Sequence, residues 1–193
     1  MCGSLPRRWV TDGGGSLTPL LVTARLELRC ALPGDAAFFL RLLNQPSWLE
    51  NIGDRGVRSL ADAEGYIGNN LQAAYRTCGF GLYAVELKST RDLIGLCGLV
   101  KRDFLPSPDL GFALLAEFAG QGYASEAARA VMQHAQGTLG IERLYAIVKR
   151  GNQRSVRLLE RLGFRRQGPY LIPQGDEVEL YCSGKGYFAA PAG

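Results

Sequence analysis

The chain has 193 residues, of which 47% are hydrophobic and 21% are charged, and its formal net charge is +4. This length suits one domain with a sizeable core, and the composition excludes a disordered chain and a strongly acidic or basic tail. The longest apolar run, Leu93–Val100, is too short to span a bilayer, and no long apolar stretch follows Arg7 and Arg8 as in a secretory signal. We therefore expect a cytoplasmic protein that does not enter a membrane.

The cysteines and the histidine limit the kinds of site that the chain can hold. Five cysteines are scattered along the sequence without a Cys-x-x-Cys pair. This pattern argues against a disulfide framework and a zinc cluster, and it favours reduced cysteines. The single histidine, His134, lies late in a predicted helix beside Gln133. We interpret it as a surface or helix-packing residue and predict no metal site.

The predicted organisation begins with a flexible extension over residues 1–19, where a Gly-Gly-Gly-Ser run lacks periodicity, followed by a single domain over 20–190. Alternation of polar and apolar residues over 25–29 predicts the first strand. Two helices should follow. The first is broken at Pro46, and the second begins at Ser59 with a variant of the capping box.

Strands are expected to dominate the middle of the chain. The stretches 80–87 and 93–101 flank a polar turn and should form a hairpin, and 109–116 is the next strand. From Gly122 onward, apolar residues recur at helical spacing, which predicts a helix with one buried face. That face comprises Ala124, Ala127, Ala128, Val131, Met132 and Ala135.

The last part of the chain is predicted to add a strand over 143–148, a helix over 152–162, and strands over 164–168 and 177–182. The resulting order, β-α-α-β-β-β-α-β-α-β-β, indicates an α/β fold with a mixed sheet covered by helices. The strand–helix–strand run over 109–148 implies one parallel strand pair with a right-handed crossover.

The most informative segment for function is 118–126, Phe-Ala-Gly-Gln-Gly-Tyr-Ala-Ser-Glu, between a strand and a helix N-terminus. Gly120 and Gly122 let the backbone turn and approach a ligand closely, and the helix start offers unpaired N–H groups, so a phosphate or pyrophosphate fits there. A tight turn with Ser125 as the helix cap is the alternative. The segment is neither a Walker loop nor a dinucleotide fingerprint, because it lacks a following Gly-Lys-[Ser/Thr] and a third glycine.

The string 119–124, Ala-Gly-Gln-Gly-Tyr-Ala, resembles the acyl-CoA-binding motif of the GNAT acetyltransferase superfamily, Gln/Arg-x-x-Gly-x-Gly/Ala. It matches at Gly122 and Ala124 and departs from the pattern at Ala119. The wider string 110–135 is similar to the RimJ/RimL-type branch of that superfamily. Three further segments resemble the same branch in the same order, and they are 21–29, 94–99 and 152–164. The resemblance covers residues 21–188.

The resemblance implies a GNAT-like fold in which the central parallel strands splay into a wedge, with acetyl-CoA as co-substrate. Main-chain groups of Phe112 and Leu114 are expected to pair with the pantetheine arm as an added strand would. Asn152 is expected to contact the same arm, and a simple N-cap is the alternative role for this residue. The backbone N–H groups expected to hold the pyrophosphate are those of Gly120, Gln121, Gly122, Tyr123, Ala124 and Ser125.

The resemblance also implies direct transfer of the acetyl group from the thioester to a primary amine of a protein N-terminus or a small molecule. Many superfamily members use a tyrosine as the acid for the leaving thiolate, and Leu159 stands at that position here. Ser155 is expected to be the thiolate partner, with a packing role as the alternative. Asp109 is expected to orient a water or the amine. The other candidate bases are Glu86, Glu177 and Glu179, for which surface or salt-bridged roles are the alternative, and a desolvated amine needs no base.

Two other functions fit parts of the sequence. The absent tyrosine and Ala119 are compatible with a CoA-binding sensor or scaffold that has lost catalysis. Residues 142–166 hold eight Arg and Lys against two Glu, which suits nucleic-acid binding or a solvated helix face beside a polyanionic cofactor. No nucleic-acid-binding motif accompanies these charges. We expect an amine acceptor as the partner, no nucleic-acid or membrane partner, and a monomer or homodimer.

Overall fold

The computed structural model describes residues 19–184. The extension predicted for 1–19 therefore lies, apart from Pro19, outside the described residues. Strands form one sheet, and they are β1 (Leu21–Val22), β2 (Leu26–Arg29), β3 (Leu82–Leu87), β4 (Leu93–Val100), β5 (Asp109–Leu114), β6 (Tyr145–Lys149), β7 (Arg165–Leu171) and β8 (Glu177–Cys182). The helices are α1 (Ala36–Asn44), α2 (Pro46–Asn51), α3 (Leu60–Tyr66), α4 (Ala73–Cys78), α5 (Tyr123–Gly137) and α6 (Gln153–Arg161). Within 19–184 no helix is long and apolar enough to cross a membrane.

Two helices begin at residues whose local hydrogen bonding favours a helix start. Ser59 caps α3, since its Oγ accepts from the Asp62 N–H at 3.1 Å while the Asp62 carboxylate accepts from the Ser59 N–H at 2.9 Å, which confirms the predicted capping box. A π-helical stretch, Ile67–Gln72, joins α3 to α4. The break predicted at Pro46 is only half correct. Helix α1 ends before it, but Pro46 starts the unpredicted helix α2, because a proline at the first helical position loses no hydrogen bond.

The strand order is β1-β2-β3-β4-β5-β6-β8-β7, and every neighbouring pair is antiparallel except β5 and β6. These two parallel strands share one register pair, Asp109 with Tyr145, and the Tyr145 N–H donates to the Pro108 carbonyl at 2.9 Å. Beyond this pair the two strands diverge toward their C-terminal ends. The predicted mixed sheet with a splayed parallel pair is therefore confirmed.

Two apolar clusters place the helices on opposite faces of the sheet. Helices α5 and α6 pack on one face, where Ala127, Ala128, Val131 and Ala135 are fully buried. The remaining helices pack on the other face around Phe39, Leu42 and Ile67. The small side chains of α5 let the helix lie close to the sheet. This confirms the buried face predicted for α5 and leaves its N-terminus beside the gap between β5 and β6.

The boundaries of β6 and β7 differ most from the prediction, and those of β2 to β5 differ by one or two residues. Strand β6 begins at Tyr145, since the N–H of the preceding residue, Leu144, donates to the side-chain hydroxyl of Ser183 at 2.9 Å instead of to a main-chain carbonyl. Strand β7 continues to Leu171 instead of ending at Gly168, since Leu171 still pairs with Glu177 of β8. A register shift after Arg166 accommodates Gly168 and Pro169, residues whose turn preference suggested that the strand ended.

Candidate functional site

The gap between β5 and β6 exposes one main-chain edge of β5. The Leu115 N–H donates to the Ile94 carbonyl of β4 at 2.8 Å. Because main-chain groups alternate along a strand, those of Phe112 and Leu114 turn to the opposite edge, which faces β6. This is the edge on which the sequence predicted that a ligand arm would pair.

The segment that contains helix α2 is hydrogen-bonded to the end of β5 on one side of the gap and to the end of β6 on the other. At its start, Gln45 Nε2 donates to the Leu114 carbonyl at 2.9 Å, and Gln45 Oε1 accepts from the Ala116 N–H at 3.2 Å. At its end, Lys149 Nζ donates to the Glu50 carbonyl at 2.8 Å. One of the two predicted pairing carbonyls, that of Leu114, is therefore already bonded. Sequence reasoning missed Gln45, because a glutamine before a proline carries no signal of a distant main-chain partner.

Residues 120–122, which we call the glycine loop, lead into α5. The N-terminus of this helix has no side-chain cap. Gly122 is the N-cap of α5, and it has the left-handed φ of +83°. The first helical hydrogen bond runs from the Glu126 N–H to the Gly122 carbonyl at 3.0 Å. The N–H groups of Tyr123, Ala124 and Ser125 precede this bond and so have no partner within the helix. The alternative role of Ser125 as the helix cap is wrong, because Ser125 lies at the third helical position.

Arg25 ties the turn between β1 and β2 to this loop. Its Nε donates to Glu126 Oε2 at 2.7 Å, and its main-chain N–H donates to Glu126 Oε1 at 2.8 Å. Its Nη1 donates to the Gln121 carbonyl at 3.1 Å, and its guanidinium carbon lies 4.3 Å from the centre of the Tyr123 ring. Thr23 Oγ1 also donates to Glu126 Oε1 at 2.6 Å. Periodicity could not reveal this cluster, because about a hundred residues separate its two halves.

The Glu126 carboxylate in this cluster is held in its charged form. Burial opposes its ionisation, but the hydrogen bonds from Thr23 and Arg25 outweigh that effect and lower its pKa below the ordinary value of 4.5. The negative charge also lies in the first turn of α5, where the helix dipole favours it. Ionic and hydrogen-bond contacts therefore join the glycine loop, the turn between β1 and β2, and the first turn of α5.

Asp109 lies at the closed end of the gap rather than at its mouth. Its side chain is buried, with the residue 3% exposed. Oδ2 accepts from Arg102 Nε at 2.5 Å, and Oδ1 lies 3.4 Å from the Ile147 N–H of β6. Burial raises the pKa of Asp109, although the neighbouring Arg102 guanidinium acts in the opposite direction. The carboxylate therefore links β5 to β6 just past the single register pair.

Asn152 and Ser155 lie where β6 turns into α6. Asn152 Oδ1 accepts from the Ser155 N–H at 3.1 Å, so Asn152 caps the helix, as one of its two predicted roles requires. Ser155 is half-buried in the first turn. One turn further along, Leu159 is fully buried in the core on the sheet face. Leu159, which stands where the resemblance to GNAT enzymes places a tyrosine, therefore packs against the sheet.

The other carboxylates considered as bases are all ion-paired. Glu86 is buried and contacts Arg29 at 3.1 Å and Arg91 at 2.7 Å. Glu177 lies 3.0 Å from Arg150, and Glu179 contacts both Arg150 and Arg166. These contacts match the salt-bridged alternative. They also neutralise part of the basic run over 142–166.

The cysteines and the histidine are the remaining side chains with reactive or metal-binding chemistry in the described part of the chain. Among residues 19–184 no group of three or more His, Cys, Asp or Glu side chains could hold a metal ion. The four described cysteines are free thiols, and burial raises the pKa of Cys30 to about 11 and that of Cys97 to about 12. His134 is half-buried on α5, and burial lowers its pKa.

Comparisons with known proteins agree with this geometry. A family model described as an acetyltransferase (GNAT) domain matches residues 25–165. The uncharacterized N-acetyltransferase YoaA of Bacillus subtilis is 28% identical over 153 residues, which cover 78% of this chain and 85% of YoaA.

Two solved structures have the same fold. RimL, a ribosomal alpha-N-protein acetyltransferase in complex with coenzyme A, aligns with a TM-score of 0.72 at 22% identity, covering 86% of this chain and 97% of RimL. The aminoglycoside acetyltransferase AAC(6')-Ib in complex with coenzyme A aligns with a TM-score of 0.67 at 20% identity, covering 82% of this chain and 94% of that protein. The matched family model spans most of the chain and includes the gap, the glycine loop and α6. The chain therefore belongs to the GNAT family of acetyltransferases.

Proposed function

We propose that this chain transfers the acetyl group of acetyl-CoA directly to a primary amine. One observation carries the proposal: the open main-chain edge of β5 leads to the uncapped N-terminus of α5. An extended arm and an anion are the two ligand features that these elements fit. Coenzyme A joins both in one molecule, since a pantetheine arm leads to a pyrophosphate. The two solved relatives described above hold the same ligand.

The glycine loop fits the pyrophosphate end. Gly120, Gln121 and Gly122 are exposed, and a Cβ added at Gly122 would lie 3.4 Å from Arg25 Nη2. The N–H groups of residues 120–125 would donate to the phosphates, most directly those of 123–125, which precede the first helical bond. Ala119 adds no side-chain donor to this set.

The main-chain edge of β5 fits the pantetheine arm. Phe112 would pair with the arm through its main-chain groups. Leu114 would contribute its N–H, because its carbonyl accepts from Gln45. Asn152 uses Oδ1 to cap α6, and its Nδ2 is the part of the amide that can donate to the arm.

The chemistry requires a nitrogen–carbon bond to form, the carbon–sulfur bond to break, one amine proton to leave and the thiolate to gain a proton. Ser155 is proposed to donate its hydroxyl hydrogen bond to the sulfur, since it lies in the first turn of α6, where the helix dipole stabilises negative charge. Asp109 is proposed to orient a water or the amine from the closed end of the gap. Its two oxygens already accept from Arg102 and Ile147, so this role has the weaker geometric support.

The acceptor is proposed to be the primary amine of a protein N-terminus or a small molecule, as for the substrates named for RimL and AAC(6')-Ib. The second candidate, a CoA-binding sensor or scaffold without turnover, is favoured by the buried leucine at position 159. A nucleic-acid partner is not proposed, because Arg150 and Arg166 of the basic run bind carboxylates of the chain itself.

The test is a turnover assay with acetyl-CoA and a panel of peptides with free N-termini, aminoglycosides and polyamines. We expect release of the free thiol together with an acceptor heavier by one acetyl group. Peptides with blocked N-termini serve as the matched control. Coenzyme A binding without thiol release across the panel would establish the sensor instead, and absence of binding would refute both functions.

A further inference from the structure

Arg25 makes more contacts than an ordinary surface ion pair. Exposed ion pairs stabilise proteins by at most about 1 kcal/mol, and the side chain of Arg25 is 47% exposed. Yet the same residue contacts the Gln121 carbonyl in the loop and two side chains at the start of α5, the Tyr123 ring and the Glu126 carboxylate. Its second terminal nitrogen lies beside Gly122. The contacts therefore converge on the loop that leads into α5.

We infer that Arg25 is a positioning residue for the pyrophosphate of the acyl-CoA substrate, acting through the peptide bond between Gln121 and Gly122. The inference rests on the proposed function, since it assigns a role at the same site. It also concerns a segment that precedes the glycine loop by almost a hundred residues. Arg25 belongs to the turn between β1 and β2, not to the acyl-CoA motif.

The orientation of one peptide group explains how Arg25 acts. In a trans peptide, the C=O and N–H groups point in opposite directions. Since Arg25 Nη1 holds the Gln121 carbonyl on its own side, the Gly122 N–H points away from Arg25. A positive φ at Gly122 keeps this arrangement compatible with the start of α5. The hydrogen bond to the carbonyl also polarises the peptide and strengthens its N–H as a donor to an anion.

The charge of Arg25 alone does not account for these contacts. Glu126 neutralises much of that charge at 2.7 Å, and Thr23 fixes the carboxylate from its other side. What remains is a geometric role, which depends on the planar guanidinium reaching the carboxylate with Nε and the carbonyl with Nη1 at once. A lysine in this place has one ammonium group and cannot hold both acceptors in the same way. Ala119 offers no polar side chain to the loop, so the conformation of the loop depends more on Arg25.

The experiment compares two thioesters that differ at the pyrophosphate. Acetyl-CoA carries the pyrophosphate, whereas S-acetylpantetheine ends before it. For Arg25→Gln we expect the KM for acetyl-CoA to rise about tenfold, the effect of one charge-assisted hydrogen bond, with kcat changed less than about twofold. We expect kcat/KM for S-acetylpantetheine to stay within about twofold of the wild type. Arg25→Lys should show most of the same defect.

The matched control is Arg58→Gln, because Arg58 is exposed, pairs with Asp54 and donates to the Val57 carbonyl at 3.0 Å, far along the chain from the glycine loop. This variant should have the same kcat and KM as the wild type with both thioesters. Equal losses on both thioesters for Arg25→Gln, an unchanged KM for acetyl-CoA, or full rescue by Arg25→Lys would overturn the inference. If Arg25→Gln does not fold, Arg25→Lys and Glu126→Gln are measured instead. A loss of kcat/KM that is larger with acetyl-CoA than with S-acetylpantetheine supports the inference, and equal losses overturn it. Failure of the wild type to use either thioester would overturn the proposed function and this inference together.

Discussion

Two glycines with the same backbone conformation allow the ligand-binding role of one to be separated from its structural role. Gly122 has a φ of +83° and Gly163, just after α6, has a φ of +86°. An alanine in this left-handed region costs about 1–2 kcal/mol wherever it stands. A Cβ at Gly163 would meet nothing within 4 Å, whereas a Cβ at Gly122 would lie 3.4 Å from Arg25 Nη2. Alanine would therefore be strained equally at both positions, but only at Gly122 would its methyl group contact Arg25.

We therefore expect Gly122→Ala and Gly163→Ala to lower the Tm by similar amounts, about 2–8 °C for a domain of this size. Only Gly122→Ala should weaken coenzyme A binding, by about tenfold, because its methyl group stands in the loop proposed to hold the pyrophosphate and would disturb about one charge-assisted hydrogen bond there. Thermal denaturation measures the first effect, and isothermal titration with coenzyme A measures the second. Alanine is a cleaner probe than valine, whose branched side chain adds strain of its own.

An unchanged coenzyme A affinity in folded Gly122→Ala would refute the assignment of the glycine loop to the pyrophosphate. An equal loss of affinity in both would show that backbone strain, and not the loop, controls binding.

Three further outcomes follow from the geometry. Ser155→Ala should lower kcat about tenfold or more while the coenzyme A Kd stays unchanged, and a parallel loss in both would assign Ser155 to packing. Leu159→Ala should destabilise the fold by about 2–5 kcal/mol in urea denaturation, because Leu159 is fully buried, and a loss under 1 kcal/mol would contradict its place in the core. Since the pKa of Glu126 is lowered in the folded chain from its ordinary 4.5, its contribution to stability is present above about pH 4.5 and is lost as the pH falls through the lower folded value. The difference in unfolding free energy between the wild type and Glu126→Gln should therefore shrink in acid, and a difference that is constant with pH would exclude this linkage.

The parts of the fold that depend on local patterns were predictable from the sequence. The helical spacing of alanines and Val131 predicted the buried face of α5, and Ser59 predicted the start of α3, because spacing and capping are set by residues within a few positions of each other. The strand predicted over 177–182 likewise has the bounds of β8. The order of the elements after α3 followed from the same signals.

The parts that depend on distant partners were not predictable in this way. Gln45 binds the end of β5, and Arg25 binds Glu126, but neither contact leaves a periodic trace in the sequence. Asp109 was singled out by its place at the start of a strand, and only the structure reveals its ion pair with Arg102. The gap was expected from the resemblance to the GNAT superfamily. The residues that hold its edges could not be predicted, because side-chain contacts across the fold are fixed by tertiary packing.

The single register pair between β5 and β6 has a consequence for the cooperativity of the molecule. It divides the sheet into two hydrogen-bonded ladders, one from β1 to β5 and the other from β6 to β7, and each is complete within itself. Such ladders can open as separate units with free energies below that of global unfolding. A substrate arm bound in the gap as proposed would contact both ladders, so we expect it to couple their opening and to slow amide exchange on both sides. In the chain alone, the two ladders are joined by this register pair, by the Asp109 carboxylate and by the apolar core under α5 and α6, so the gap is the part of the sheet whose rigidity we expect the substrate to raise most.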